Sequence, residues 1–363
     1  MSFDGLDGWL RARAAADEFS GVVLISRGGT PVFSGAYGWA SRRWRVPVTA
    51  ETRFDTASIG KVFTAVAALQ LVDQGRLGLE MPITEVVDLS GTAISPAVRL
   101  RHLLTHTSGI ADDADEEAGE DYAMLWLDRP CYTVVQTRDF LPGFADKPAV
   151  FPPGGGCRYC NAGYILLGLA IEAVTRNSYR DHVTRAVFAP AGMGRSGFYD
   201  RRDAEPDVAE GWDPILDEDG NRTGWTQNIF SYPPIGSPDG GAHVTATDLL
   251  RFAQAVRSGR LLSAELTEQF VSPQVLHHRR RDYGVWYGFG MEFVVGGDGR
   301  VRNSYKDGVN AGASGIVRYY PAGQLDVVVL SNSERGAWKP IEEIHRLVRK
   351  ADPAVGESGI GFA

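Results

Sequence analysis

Strand-forming segments lie at both ends of this chain, and a mainly helical stretch lies between them. Gly21-Val22-Val23-Leu24-Ile25-Ser26 is an unbroken apolar run bounded by turn residues, the pattern of a buried strand. Arg27-Gly28-Gly29-Thr30 reads as a turn, and residues 31–38 as the returning partner of a hairpin. Far along the chain, residues 285–295, 301–306, 313–320 and 325–331 read as strands. Gly296-Gly297-Asp298-Gly299 is a strong hairpin turn, and Pro321-Ala322-Gly323-Gln324 joins the last two strands. Helices are expected at 3–18 and 338–350, one at each end. The two ends are therefore expected to build one antiparallel sheet.

Residues 76–240 have another texture. Helical apolar patterns at 164–174 and 179–188, and a short helix at 100–110 stopped by glycine, alternate with long polar segments rich in glycine and proline. Residues 111–122 are acidic and read as a surface loop. Residues 200–238 read as irregular, and long irregular segments in enzymes often wall a site. The expected fold class is α/β (α+β), an antiparallel sheet flanked by helices. Residues 1–75 and 241–363 form the sheet domain, and 76–240 form an inserted, mainly helical lobe. A length of 363 residues is ample for that core.

A net charge of -8 argues against a nucleic-acid binder, which would show a basic field. No run of about 18 apolar residues predicts a membrane span. Residues 1–8 lack a basic start followed by an apolar run, so no signal peptide and a cytoplasmic location are expected. Cys157-Arg158-Tyr159-Cys160 has the spacing of a zinc half-site. A zinc site needs about four ligands and no second pair exists, so neither metal nor cofactor is expected.

Three short motifs carry chemistry. Ser58-x-x-Lys61 precedes the apolar helical pattern Val62, Phe63, Val66, Leu69, Leu71, Val72. Residues three apart share a helix face, so the Lys61 ammonium reaches the Ser58 hydroxyl. A serine hydroxyl becomes a useful nucleophile when a neighbour takes its proton or lowers its pKa. Tyr159-x-Asn161 lies between the glycine-rich segment 152–156 and the helix starting near Tyr164. Tyr159 could serve as a base beside an ammonium, and Asn161 could hydrogen-bond Lys61 or a substrate amide. Lys306-Asp307-Gly308 closes the strand at 301–306, adding positive charge and a glycine where backbone can approach a substrate. Singly, each has a plainer reading: a capping serine with a solvated lysine, a helix cap, a polar turn.

In this order, and with their flanks, the three resemble the serine β-lactamase and penicillin-binding-protein superfamily, in the branch of class C β-lactamases, esterases and D-aminopeptidases. The resemblance runs from about residue 20 to 335. It includes Leu103-Leu104-Thr105-His106-Thr107-Ser108-Gly109, Tyr159-x-Asn161-x-Gly163-Tyr164-x-Leu166-Leu167-Gly168, and Pro190-x-Gly192-Met193. It also includes Gly240-Gly241 before Thr245-x-Thr247-Asp248-Leu249, and Leu330-Ser331-Asn332. It implies the β-lactamase/transpeptidase-like fold and acylation of Ser58 by a small ester or amide. Lys61 and Tyr159 share the proton work, with Tyr159 favoured to take the hydroxyl proton and pass it to the leaving group, while which of them is the base stays open. The oxyanion would sit between the backbone N–H groups of Ser58 and Val309, with Asn161, Lys306 and Gly308 supporting the site. His102 and His106 are expected to be structural, because no Gly-x-Ser-x-Gly elbow accompanies them.

Two positions depart from the family. Asp307 stands where β-lactamases and carboxypeptidases carry Thr or Ser, and its repulsion of an anionic substrate would be about 1–4 kcal/mol in a partly wet site. Cys160 replaces a small polar residue and suggests sensitivity to thiol reagents. The leading expectation is a carboxylesterase with possible amide hydrolysis or acyl transfer. A β-lactamase or D-amino-acid (DD-) peptidase, and a non-catalytic ligand-binding homologue, stay open. No nucleic-acid or membrane partner is expected.

Overall fold

The computed structural model describes residues 3–356 and Gly359. Eight antiparallel strands form one sheet: β1 (Gly21–Arg27), β2 (Thr30–Tyr37), β3 (Val275–Arg279), β4 (Tyr283–Tyr287), β5 (Glu292–Gly296), β6 (Val301–Asn310), β7 (Ala313–Tyr320) and β8 (Leu325–Ser331). Their spatial order is β2-β1-β8-β7-β6-β5-β4-β3. The chain's first hairpin thus joins its last strand, with Gly21 opposite Ser331 and Arg27 opposite Leu325.

The sheet is covered on both faces, which explains the unbroken apolar runs. In β1, Val22 and Leu24 face one core cluster while Val23 and Ile25 face the other. In β8, Val328 and Leu330 face the first, and Leu325, Val327 and Val329 the second. The outer cluster lies under α1 (Leu6–Ala15) and α7 (Trp338–Ala351). Helix α7 buries Ile341, Ile344, His345 and Val348, the i, i+3, i+4, i+7 stripe of an amphipathic helix.

The inner cluster surrounds α2 (Lys61–Asp73), which is buried all round, as an evenly apolar helix must be. Phe63 anchors it edge-on to Phe188 and Phe252, at centroid distances of 5.0 and 4.8 Å. Each large apolar side chain so buried contributes about 1.5–3 kcal/mol. That offsets the several kcal/mol that burial of the Lys61 ammonium costs. Further helices are α3 (Leu100–Leu104), α4 (Asn161–Thr175), α5 (Ala246–Arg257) and α6 (Ala264–Phe270). No helix among the described residues is long and apolar enough to cross a membrane.

Several expectations need correction. Residues 285–295 are not one strand: β4 and β5 are antiparallel partners, reversed at 288–291, where Gly290 has φ +78. The strand expected at 301–306 continues to Asn310, so Lys306-Asp307-Gly308 lies inside β6 and not at its end. The supposedly irregular 200–238 holds a hairpin, Trp212–Leu216 paired with Arg222–Gln227. Strand β3 and helix α6 had no clear apolar period and were unforeseen. The expected surface loop at 111–122 is buried at Asp112, Asp113 and Ala114, for a reason given below.

His345 supplies a stability test. Its Nδ1 lies 3.0 Å from the Tyr320 hydroxyl and its Nε2 3.1 Å from the Gly356 carbonyl. Burial, then the Arg318 charge, lowers its pKa from 6.5 to about 4. A histidine harder to protonate folded than unfolded stabilises fully above the unfolded value. That contribution is lost as pH falls from about 6.5 towards about 4. Denaturant unfolding at the two ends of this window should show wild type losing on the order of 2 kcal/mol more than His345→Gln. Equal losses would remove His345 as the cause.

Candidate active site

Ser58 sits in a 3-10 turn, Ala57–Gly60, that runs straight into α2. Ala57 has φ +42, an uncommon conformation for a residue with a Cβ, costing roughly 1–3 kcal/mol. The Asp55 carboxylate holds the turn by accepting the Ala57 N–H at 2.7 Å. Thr56, by contrast, makes no side-chain capping bond. Gly240 and Gly308 press on the turn from either side. A Cβ at 240 would lie 2.5 Å from the Ala57 carbonyl oxygen. A Cβ at 308 would lie 2.4 Å from the Thr56 oxygen and 2.7 Å from the Ser58 nitrogen.

Lys61, one helical turn on, is fully buried. Its Nζ lies 3.0 Å from Ser58 Oγ and donates to Asn161 Oδ1 at 2.7 Å and to the Asp239 carbonyl at 2.6 Å. Burial lowers its pKa against the pull of nearby carboxylates. The Tyr159 hydroxyl donates to Ser58 Oγ at 2.6 Å, and burial raises its pKa well above the usual value. The serine oxygen therefore touches an amine whose charge is disfavoured and a phenol whose proton is retained.

Lys306 adds a cation to the site, with its Nζ 5.2 Å from the Tyr159 ring centre. It is paired with Glu292 at 2.8 Å and with Asp307 at 3.4 Å. Burial opposes its charge, but these two carboxylates outweigh burial and raise its pKa. Val309 is 46% exposed and stands between two cavities that both reach Ser58. The larger, of about 380 Å³, includes Asn161, Tyr232 and His243. The smaller, of about 240 Å³, includes Tyr159, His277, Tyr287 and Lys306. Ser58, Lys61, Tyr159, Asn161, Lys306, Gly308 and Val309 thus converge on one place.

Other residues of the site were not foreseen. Asp112 caps α4, accepting the backbone N–H groups of Asn161 at 2.7 Å and Ala162 at 2.8 Å. This explains its burial, and it fixes Asn161 against Lys61. Glu116 Oε1 accepts from Asn161 Nδ2 at 2.7 Å, and Glu117 accepts the Tyr159 N–H at 2.8 Å. The acidic run at 112–117 was a visible signal, but only the fold shows that it caps a helix about fifty residues on. His106 is structural: its Nδ1 accepts the Cys160 N–H at 3.1 Å, and its ring packs 4.7 Å from that of Tyr159.

Cys160 corrects another expectation. It is buried, its Sγ donates to the Ile110 carbonyl at 3.5 Å, and burial drives its pKa up. A shielded thiol of that kind is inert, not reagent-sensitive. Tyr232 lines the larger cavity and Tyr287 the smaller, while Trp212, Trp225 and Trp286 line neither. No group of three or more His, Cys, Asp or Glu suited to a metal occurs among the described residues.

The chain is similar to known proteins. The family model "Beta-lactamase" matches residues 6–351. A penicillin-binding protein of Bacillus subtilis (strain 168) is 28% identical over 287 residues, 75% of this chain and 59% of that protein. Esterase EstB of Burkholderia gladioli is 30% identical over 261 residues, 65% of each chain. The chain therefore spans less than two thirds of the length of these curated relatives. The crystal structure of a penicillin-binding protein from Bacillus halodurans superimposes with a TM-score of 0.84 at 36% identity, covering 93% of this chain and 99% of that one.

Proposed function

The chain belongs to the beta-lactamase family of serine hydrolases, and from that premise we propose that it hydrolyses small carboxylic esters through an acyl-enzyme on Ser58. The observation that carries the reading is the double contact of Ser58 Oγ, 3.0 Å from Lys61 Nζ and 2.6 Å from the Tyr159 hydroxyl. Two of the three directions around Lys61 Nζ face carbonyl oxygens that can only accept. A neutral amine donates to both and turns its lone pair to Ser58. Lys61, its charge disfavoured by burial, takes the serine proton as the hydroxyl attacks the carbonyl carbon. Tyr159, its proton retained, gives that proton to the leaving oxygen, and the ammonium formed at Lys61 returns a proton to the phenolate. The Ser58 and Val309 N–H groups receive the oxyanion. Water repeats the sequence on the acyl-enzyme and releases the acid.

The surroundings of Lys306 favour esters over penicillins and D-alanyl peptides. Those substrates bring a carboxylate, and the Lys306 charge is already matched by Glu292 and Asp307. Intact mass after brief exposure to p-nitrophenyl butyrate and to a chromogenic cephalosporin, with absorbance followed in parallel, tests the reading. Ester turnover well above cephalosporin turnover, with an acyl adduct missing from Ser58→Ala, is the expected result. Faster cephalosporin turnover would reverse the assignment.

A further inference from the structure

Tyr159 lies outside any helix or strand, just ahead of α4, so no backbone ladder fixes its hydroxyl on Ser58. Three successive N–H groups hold its loop instead. Those of Arg158 and Cys160 donate to His106, to its carbonyl oxygen at 2.9 Å and to its Nδ1 at 3.1 Å. That of Tyr159 donates to Glu117 Oε1 at 2.8 Å. Glu117 sits on another loop, in a single 3-10 turn, Glu116–Ala118. Arg158 and Asp115, 2.6 Å apart, tie these two loops to each other. They do not tie them to the sheet that carries Lys306.

His277, on the edge strand β3, makes that tie. Its Nε2 lies 3.2 Å from Glu117 Oε1, the same oxygen that accepts the Tyr159 N–H. A carboxylate oxygen only accepts, so Nε2 carries a proton. Burial opposes the Glu117 charge, but the hydrogen bonds from His277 and from the Tyr159 N–H outweigh it and lower its pKa. Between ring centres, His277 lies 4.7 Å from Tyr287, Tyr287 4.8 Å from His106, and His106 4.7 Å from Tyr159. The contacts close a circuit from His277 through Tyr287, His106, Tyr159 and Glu117 back to His277. The sheet edge is thereby joined to both the ring and the backbone of Tyr159.

We propose that His277 is a positioning residue for proton transfer to the leaving group: through Glu117 and Tyr287 it holds the Tyr159 hydroxyl at hydrogen-bond distance from Ser58. This rests on Tyr159 as the proton donor in the acyl-enzyme reading. A leaving alkoxide needs that proton, whereas a p-nitrophenolate departs without it. Slackening the Tyr159 loop therefore slows alkyl esters and spares activated aryl esters. A change that only loosened the fold would slow both alike.

Ethyl butyrate and p-nitrophenyl butyrate share one acyl group, so the ratio of their kcat/KM values isolates the leaving-group step. His277→Phe keeps a ring against Tyr287 and removes the N–H, and Glu117→Leu removes the acceptor. Each should lower the ethyl-to-nitrophenyl ratio by about 10-fold, as a slightly displaced proton donor does. Either single variant suffices if the other fails to fold. The double variant should lower the ratio no further than the worse single one, because both act through Tyr159. Glu117→Gln keeps an acceptor oxygen and should stay within about 2-fold of wild type. Tyr159→Phe is the reference, with an expected fall of about 10²-fold or more. If the reference falls while folded His277→Phe and Glu117→Leu leave the ratio unchanged, this inference alone is overturned. Losses that multiply in the double variant would overturn it too, since His277 would then act on the leaving group directly. If Tyr159→Phe slows both esters equally, Tyr159 is not the donor, and this inference falls with that reading.

Discussion

Ser58→Ala should lower kcat on the best ester by about 10³- to 10⁶-fold while leaving the fold intact. The serine oxygen is the one atom on which both proton-handling groups converge, at 3.0 Å from Lys61 Nζ and 2.6 Å from the Tyr159 hydroxyl. Without it no acyl adduct forms, and neither neighbour has a proton to move. Lys61→Met and Tyr159→Phe should each cost about 10²- to 10⁴-fold, the range of a lost acid or base. Adding Lys61→Met to Ser58→Ala should cost almost nothing more, because groups that act as a unit lose their value together. The pH profile gives the sign of the Lys61 role. Burial lowers its pKa from 10.5, and the base form is the neutral one. kcat/KM should therefore rise with pH along a limb centred below about 10.5 and absent from Lys61→Met. Near-wild-type turnover in Ser58→Ala, measured after removal of contaminating esterase, would sink the mechanism.

The parts of this site that depend on short sequence separation were legible, and those that depend on register were not. Ser58 and Lys61 are one helical turn apart, so their meeting follows from a helix beginning there. Tyr159 and Asn161 straddle the start of α4, and an apolar pattern marked that helix. Glu292 could not be found in the same way. It sits opposite Tyr305 on the neighbouring strand, beside Lys306, and that pairing exists only once the register of β5 and β6 is set. The segment 285–295 was read as one strand because its apolar residues conceal the reversal at Gly288-Phe289-Gly290-Met291. Asp112 was lost for a related reason. A carboxylate that caps a distant helix has the same local surroundings in sequence as one that faces water. The sheet joining the two chain ends was legible because β1 and β8 are apolar on both faces, and a strand of that kind needs cover on each side.

Gly308→Val should lower kcat/KM by about 10²-fold or more, and the cause is backbone geometry rather than lost chemistry. Strand β6 passes so close to the Ser58 turn that a side chain at 308 has no room. Its Cβ would meet the Thr56 oxygen at 2.4 Å, the Ser58 nitrogen at 2.7 Å and the Ile59 nitrogen at 2.8 Å. All three are backbone atoms, so no rotamer relieves the contact. Either β6 withdraws, taking Lys306 and the Val309 N–H with it, or the strained turn at Ala57 shifts and moves Ser58. An overpacked contact of this kind costs about 1–3 kcal/mol of stability, which a domain of ordinary stability survives. The reacting groups, by contrast, depend on positions held within about 1 Å. Gly308→Ala should show the same effect to a lesser degree. Gly8→Ala is the control, because that glycine lies in α1 with nothing within 4 Å of its would-be Cβ. It should leave turnover unchanged and stabilise by about 0.5–1 kcal/mol, as alanine does in a helix. Measuring kcat/KM and thermal unfolding for all three variants separates a displaced site from a damaged fold. Full activity in Gly308→Val would mean that β6 does not hold the oxyanion-binding backbone against Ser58.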